Sequence, residues 1–390
     1  MYKNNAASGK LEYLDGIRGF MAFNVIVNHF VCIYYPQMYF PEFAESMGGF
    51  LSLFATTPLS ALLNGNIAVQ YFFVLTGFLV GRSFFTKDIP AQSIADRSIK
   101  RYFRLLPVVF AATVFTFLTM RLGLQHHLKI ADMVQNQYFL KDYCNFTERL
   151  ISLPANIFVN PFIRTGSIYV GPFWTIRYEF WGYIFAMLIC VVFREQKYRY
   201  PEYCLLAILL LLNLDAVYVP FLLGVLVADL RFNRTPALLR KDPATAPRCK
   251  ALRAVLFVLG LYLATCPVSF TWIHAPLQQI PLMEPAIARA SGLAILLYLL
   301  TDSPKAQKIL SHPLLVRTGD ISFEVYAFHW PLMLSFEAWA FYRLSDRLPY
   351  DAAAVTAFLL TIPVIYLIAY LVHLLLAKCG TVAAHIRTKL

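Results

Sequence analysis

Ten apolar stretches recur along the 390-residue chain, at 17–35, 65–85, 105–122, 170–193, 201–214, 216–231, 251–268, 285–301, 320–341 and 353–377. Each lies near the ~20 residues that a helix needs to cross the hydrocarbon of a bilayer. No water is present there to bond exposed N–H and C=O groups, so an apolar run of this length satisfies its backbone only as a helix. The expected fold is therefore all-α, a polytopic integral membrane protein with about ten transmembrane helices in a single domain over 1–390, without an appended soluble domain. Charged residues make up 14% of the chain and hydrophobic ones 59%, against roughly 25% charged in a soluble domain. The fifth and sixth stretches are short and separated only by Asn213 to Asp215, and read as two helices or as one hairpin.

The formal net charge of +12 would by itself suit nucleic acid. The basic residues, however, sit in short clusters between apolar runs. Arg82 to Arg104, Arg194 to Arg199, Arg231 to Arg253 and Lys305 to Arg317 follow the second, fourth, sixth and eighth stretches, whereas the connections after the first, fifth and seventh hold no Lys or Arg. Cytoplasmic loops carry such an excess, so both termini are expected in the cytoplasm of a multi-pass endomembrane or plasma-membrane protein, with no nucleic-acid partner. The sequon Asn145-Phe146-Thr147 then falls on the opposite side, where glycosylation is open to it. The polar N-terminal tail lacks a small-residue cleavage site, so the first stretch is expected to be retained. The seven cysteines form no CxxC pair and no metal-ligand spacing; Cys144 and Cys266 share a side in this topology and are the one candidate disulfide. No internal repeat is visible, which weighs against inverted-repeat transporters.

Ionisable groups inside such stretches are costly and normally face a bundle interior or a wet cavity. In LDGIRGFMAFNVIVNHF (Leu14 to Phe30), Arg18 and His29 are eleven residues apart, close to three helical turns, so they share a face about 16 Å apart along the axis. Either alone is also what a snorkelling arginine or a helix-packing histidine looks like. Further on come FFVLTGFLVG (Phe72 to Gly81), KRYFRLLP (Lys100 to Pro107), FWTIRYEFWGY (Phe173 to Tyr183) with Glu179 inside a stretch, and GDISFEVYAFHWPL (Gly319 to Leu332) with His329. Read without further context, Arg101 and Arg104 are a positive-inside cluster or an anion site. Glu179 is a functional carboxylate or the partner of an arginine on a neighbouring helix, and His329 is a packing residue at a proline kink or part of a site.

In this order the motifs resemble those of the acyltransferase-3 family, LDGLRG with a later His, FFVLSGFL, RRLxRxxP, LWSLxxExxFY and LGxxSYxxYLxHxP, over about 13–340. Thr76 and Thr175 stand where serines are usual, Arg177 where a small residue is common, and Gly182 where a Phe precedes Tyr183. A eukaryotic, fungal-type setting is expected from the sequon and the lack of envelope-enzyme accessories. The resemblance implies a membrane O-acyltransferase that moves an acyl group from cytoplasmic acyl-CoA, acetyl-CoA in the simplest case, to a hydroxyl of a sugar, glycan or small metabolite. Acyl-CoA is then a co-substrate, and neither a bound cofactor nor a metal is expected. His29 maps onto the family's catalytic histidine, and imidazole is suited to general-base work because its pKa lies near neutrality. Glu179 joins it as the second catalytic candidate, orienting His29 or touching the acceptor. Arg18, Arg101 and Arg104 are the candidate donor-phosphate ligands, since guanidinium binds phosphate by paired hydrogen bonds. Asp15, Tyr178, Ser322, Tyr326 and His329 are candidate site-lining residues. A proton-coupled transporter or flippase is the alternative, because buried His, Glu and Arg on many spans also suit ion-coupled movement.

Overall fold

The computed structural model describes residues 11–87, 89–143, 146–147, 149–164, 166–212, 215–233 and 246–387, which are helical throughout their ordered elements and contain no strand. The sequon's Asn145 and the cysteine pairing that involves Cys144 lie outside the described residues, while Cys266 is buried with a free thiol. Thirteen helices carry the architecture: α1 (Glu12–Tyr34), α2 (Gly65–Thr86), α3 (Ser93–Arg121), α4 (Trp174–Phe193), α5 (Arg199–Leu212), α6 (Val219–Ala228), α7 (Ala246–Ala264), α8 (Pro285–Leu300), α9 (Pro304–Leu310), α10 (Pro313–Asp320), α11 (Ser322–Leu332), α12 (Ala338–Ser345) and α13 (Tyr350–Arg387).

Among the described residues, six segments are long and apolar enough to cross a membrane: Glu12–Tyr34, Gly65–Thr86, Ser93–Arg121, Gly171–Phe193, Ala216–Asn233 and Tyr350–Lys378. A seventh is added if α8 and α9, bent by 105° at their junction, count as one span. The expected count of about ten is not reached by this measure, and the reasons are local. Helix α5 has 14 residues and so spans about 21 Å, short of the ~30 Å hydrocarbon. Helix α7 carries Arg248, Lys250 and Arg253 in its first half. The ninth stretch is divided into α11 and α12 by a π turn at Met333–Glu337, two residues after Pro331.

Burial ranks the helices by their place in the bundle. Two thirds of the apolar window of α2 is buried, against 17% of that of α13, so α1 and α2 are central and α13 is peripheral. Close approach at the centre depends on glycine. A Cβ at Gly77 of α2 would collide with the backbone carbonyl of Phe221, and one at Gly224 with that of Val74, so α2 and α6 cross backbone to backbone. Small residues allow this in membrane bundles, where dispersion at short range replaces the hydrophobic effect between helices. The glycines of the LDGIRG motif act likewise: Gly16 and Gly19 lie against Leu310, Thr318 and Gly319, seating the start of α1 on α9 and α10.

Several polar groups in the bundle are paired across helices. On α1, the carboxamides of Asn24 and Asn28 donate to Leu62 O at 2.9 Å and Leu63 O at 2.8 Å, pinning the segment that leads into α2. Arg199 and Asp229 form a 2.6 Å ion pair, with side chains 4% and 0% exposed, that ties α5 to the end of α6. Arg231 and Arg253 converge on Asp302 at 2.8 and 3.1 Å. Several arginines that read as topology signals are therefore also cross-links between helices.

The glycine crossing gives a stability prediction. Gly77→Val should lower the melting temperature in detergent by an amount equivalent to about 1–3 kcal/mol of overpacking, whereas the lipid-facing Phe20→Ala on α1 should change it little. Equal melting of Gly77→Val and wild type would show that α2 and α6 do not cross at this point.

Candidate active site

Two cavities are stacked along α1. The larger, about 750 Å³, is reached by Asp15 and Arg18 from the first turns of α1, Thr76 of α2, Arg101 and Arg104 of α3, Glu179 of α4, and Ser322, Glu324 and Tyr326 of α11. The smaller, about 340 Å³, lies towards the other end of α1, where Asn28, His29 and Cys32 face it. Val69 and Tyr326 line both, so the wall between them is one side chain thick. The three-turn spacing that put Arg18 and His29 on one face thus delivers them to different compartments on the inside of the bundle.

In the larger cavity the three arginines differ in their engagement. Arg101 Nη2 lies 2.9 Å from Glu179 Oε2, and its guanidinium packs 5.1 Å from the ring of Tyr183. Thr76 Oγ1 donates to the same Glu179 oxygen at 3.0 Å. The carboxylate inside α4 is therefore neutralised across α2 and α3, and its hydrogen bonds go to Thr76 and Arg101 rather than to His29. Arg18 approaches Asp15 at 3.5 Å, one turn away on the same helix, while its buried Nε has no partner. Arg104 forms no ion pair or hydrogen bond among the described residues. The positive groups left to meet an anion in this cavity are thus Arg104 and, beyond its 3.5 Å contact with Asp15, Arg18. Opposite them, His373 Nδ1 of α13 lies 2.9 Å from Glu324 Oε1.

At the smaller cavity two histidines 300 residues apart meet. His329 Nδ1 lies 2.6 Å from Tyr326 O, and its Nε2 lies 3.2 Å from His29 Nδ1. His29 Nδ1 is also 3.0 Å from Val25 O. Carbonyl oxygens only accept, so His329 carries its proton on Nδ1 and presents a bare Nε2. An imidazolium at His329 would be a fully enclosed cation facing only carbonyls and a second imidazole, an expensive arrangement. His29 Nδ1 then faces two acceptors, so it holds the proton and leaves Nε2 unprotonated. No described residue bonds that Nε2, and His29, partly accessible where His329 is wholly enclosed, lines the cavity. The side chain that meets His29 is thus His329, while the hydrogen bonds of Glu179 go to Thr76 and Arg101.

The remaining site candidates divide clearly. Asp15 and Ser322 line the larger cavity. Tyr326 donates to Pro172 O at 2.6 Å and sits 2.7 Å from Thr175 Oγ1, so it is held rigidly between the compartments. Tyr178 lines neither cavity and packs among Phe73, Trp174 and Tyr218. The two threonines that depart from the family pattern keep the hydroxyl, and both hydroxyls are bonded, Thr76 to Glu179 and Thr175 to Tyr326. Sequence reasoning missed the Glu324–His373 pair, although a carboxylate inside an apolar run is the same signal that singled out Glu179. It also missed Trp330, whose ring centroid lies 5.0 Å from that of His29 and which directly follows His329 in the chain. Among the described residues no three His, Cys, Asp or Glu side chains gather to hold a metal ion.

The long apolar helices are those of a membrane protein, and its bundle holds a histidine in one inner cavity and arginines in the next. The family model of an acyltransferase domain matches residues 11–374, and the chain belongs to the acyltransferase-3 family. No curated protein and no solved structure matches it.

The two neighbouring arginines are separable by stability. Arg101→Ala leaves Glu179 without its cation, a change that costs about 3–5 kcal/mol for a fully buried pair and less here, where both side chains are about one fifth exposed, at 20% and 18%. Arg104→Ala removes no partner and should melt like wild type. Equal destabilisation of both variants would contradict this division of roles.

Proposed function

We propose that the protein is an integral membrane O-acyltransferase that transfers an acyl group, acetyl in the simplest case, from acyl-CoA to an alcohol. The observation that carries this reading is the placement of His29, whose Nδ1 lies beside Val25 O and His329 Nε2 and whose ring lines a cavity that shares a one-residue wall with an arginine-lined compartment. The donor's phosphates bind at Arg18 and Arg104, where guanidinium groups without carboxylate partners of comparable strength favour a charge-assisted contact. Its thioester end reaches past Val69 and Tyr326 towards His29. With the basic connections and both termini on the cytoplasmic side, the donor enters from the cytoplasm and the acceptor from the other face. The ten-crossing topology belongs to this reading, with α8, the short α5, the basic-ended α7 and the divided α11–α12 completing the count.

In the chemical step, His29 Nε2 takes the proton of the acceptor hydroxyl as its oxygen adds to the thioester carbonyl. The tetrahedral adduct collapses with cleavage of the C–S bond, and the proton on His29 passes to the leaving thiolate, giving an ester and free CoA. The imidazolium formed in between is steadied by His329, whose Nε2 accepts from His29 Nδ1–H. Glu179 acts through Arg101 and Thr76 as a positioning residue in the donor wall.

In purified protein reconstituted in nanodiscs, His29→Ala should reduce acyl transfer from labelled acetyl-CoA by about 10²–10⁴-fold with an unchanged melting temperature. Normal turnover in that variant would remove His29 from the base role. Substrate flux without any acyl product would favour the transporter reading. Arg104→Ala should raise the KM for acyl-CoA about tenfold or more, as expected for one lost hydrogen bond to a charged group, with little effect on kcat. An unchanged donor dependence would return Arg104 to a purely topological role.

A further inference from the structure

The smaller cavity has a composition that restricts what can occupy it beside His29. Its wall is rich in aromatic side chains from well-separated parts of the chain, among them Phe40, Phe139, Trp174 and Trp330, and among the described residues it contains no Asp, Glu, Lys or Arg. Trp330 and Phe139 form an edge-to-face pair at 5.6 Å, and His29 lies 5.0 and 6.4 Å from their respective rings. The base therefore stands in an aromatic corner.

Several of the polar groups that reach this cavity are engaged with the protein. Asn28 Nδ2 donates to Leu63 O at 2.8 Å, and Asn66 Nδ2 to Tyr39 Oη at 2.8 Å. The Tyr326 hydroxyl is held by Pro172 O and Thr175 at 2.6 and 2.7 Å. Against this wall, each hydroxyl of a polyol that found no partner would cost roughly 1–3 kcal/mol. One hydroxyl is provided for, because His29 Nε2 is free to accept from it. An anionic acceptor would meet no cation, and a cationic one would oppose the positive charge that His29 gains during the reaction. At about 340 Å³ the space lies at the small end of ligand sites, enough for one or two fused rings and not for a glycan chain.

We infer that the acceptor is a compact, uncharged alcohol with an apolar ring skeleton and one or two hydroxyls, bound with a ring face against the aromatic wall and its hydroxyl at His29. This rests on the acyl-transfer reading and narrows the acceptor class within it. Trp174, 40% exposed, is the member of that wall best suited to substitution without loss of the fold.

The test offers purified protein acetyl-CoA with borneol, menthol, methyl glucoside or gluconate, and measures ester products by mass spectrometry. A parallel arm without acceptor measures His29-dependent hydrolysis of acetyl-CoA, in which water replaces the alcohol. The expected result is a kcat/KM for borneol or menthol at least tenfold above that for methyl glucoside, with no product from gluconate. That ratio should fall in Trp174→Ala and be restored in Trp174→Phe. Acylation of methyl glucoside or gluconate as efficient as that of the ring alcohols overturns the inference. So does the absence of any ring-alcohol ester while His29-dependent hydrolysis persists, and in both cases the acyl-transfer reading survives. Absence of both hydrolysis and ester overturns the reading itself, and this inference with it.

Discussion

A backbone carbonyl has no proton to give, and the site depends on that constraint at two places. Tyr326 O and Val25 O each oblige the imidazole nitrogen beside them to be the protonated one, and the 3.2 Å contact between His329 Nε2 and His29 Nδ1 links the two choices. The result is a single arrangement of protons in which the free lone pair of His29 points away from the protein's own acceptors. The carbonyl at Tyr326 is itself steadied, because the side chain of the same residue is fastened to Pro172 and Thr175. A short segment of α11 thus sets the tautomer of the pair and also forms the wall between the two cavities.

The second requirement is electrostatic. Three arginines facing one compartment within an apolar bundle repel one another and lose hydration, so at least one needs a fixed counter-charge. Glu179 supplies it to Arg101, with Thr76 adding a second bond to the same oxygen. This ties α2, α3 and α4 together and leaves Arg18 and Arg104 as the groups facing the space. The glycines of LDGIRG contribute from below, since only their lack of a side chain lets α1 settle on α9 and α10 and bring Arg18 to the cavity.

Much of this was legible in the chain. Apolar runs at 17–35, 65–85 and 170–193 fall within or beside α1, α2 and the Gly171–Phe193 segment. The run at 105–122 ends with α3, but the helix starts at Ser93 because the basic, amphipathic stretch before it stays helical. What pattern reasoning does not reveal is geometry that depends on partners. The π turn before α12 leaves no mark in hydropathy, and the polar break after 301 marks the end of α8 without giving the 105° of the bend. Periodicity put Arg18 and His29 on one face, yet along a 23-residue helix one face runs past two cavities. Nor does spacing say which arginine is engaged by Glu179, or that a histidine 300 residues away is the partner of His29. Such contacts are fixed by how helices stack, which local pattern does not encode.

The proton arrangement is open to direct observation. Protein with ¹⁵N-labelled histidine in nanodiscs, compared with His29→Gln and His329→Gln to assign the signals, reports by solid-state NMR which ring nitrogen of each residue carries hydrogen at neutral pH. The account predicts that both residues are Nδ1–H tautomers, with His29 Nε2 giving the resonance of an unprotonated nitrogen that shifts when a hydroxyl-bearing ligand binds. A proton on His29 Nε2 at neutral pH would contradict it, because the nitrogen facing the cavity would then have no lone pair with which to act as a base.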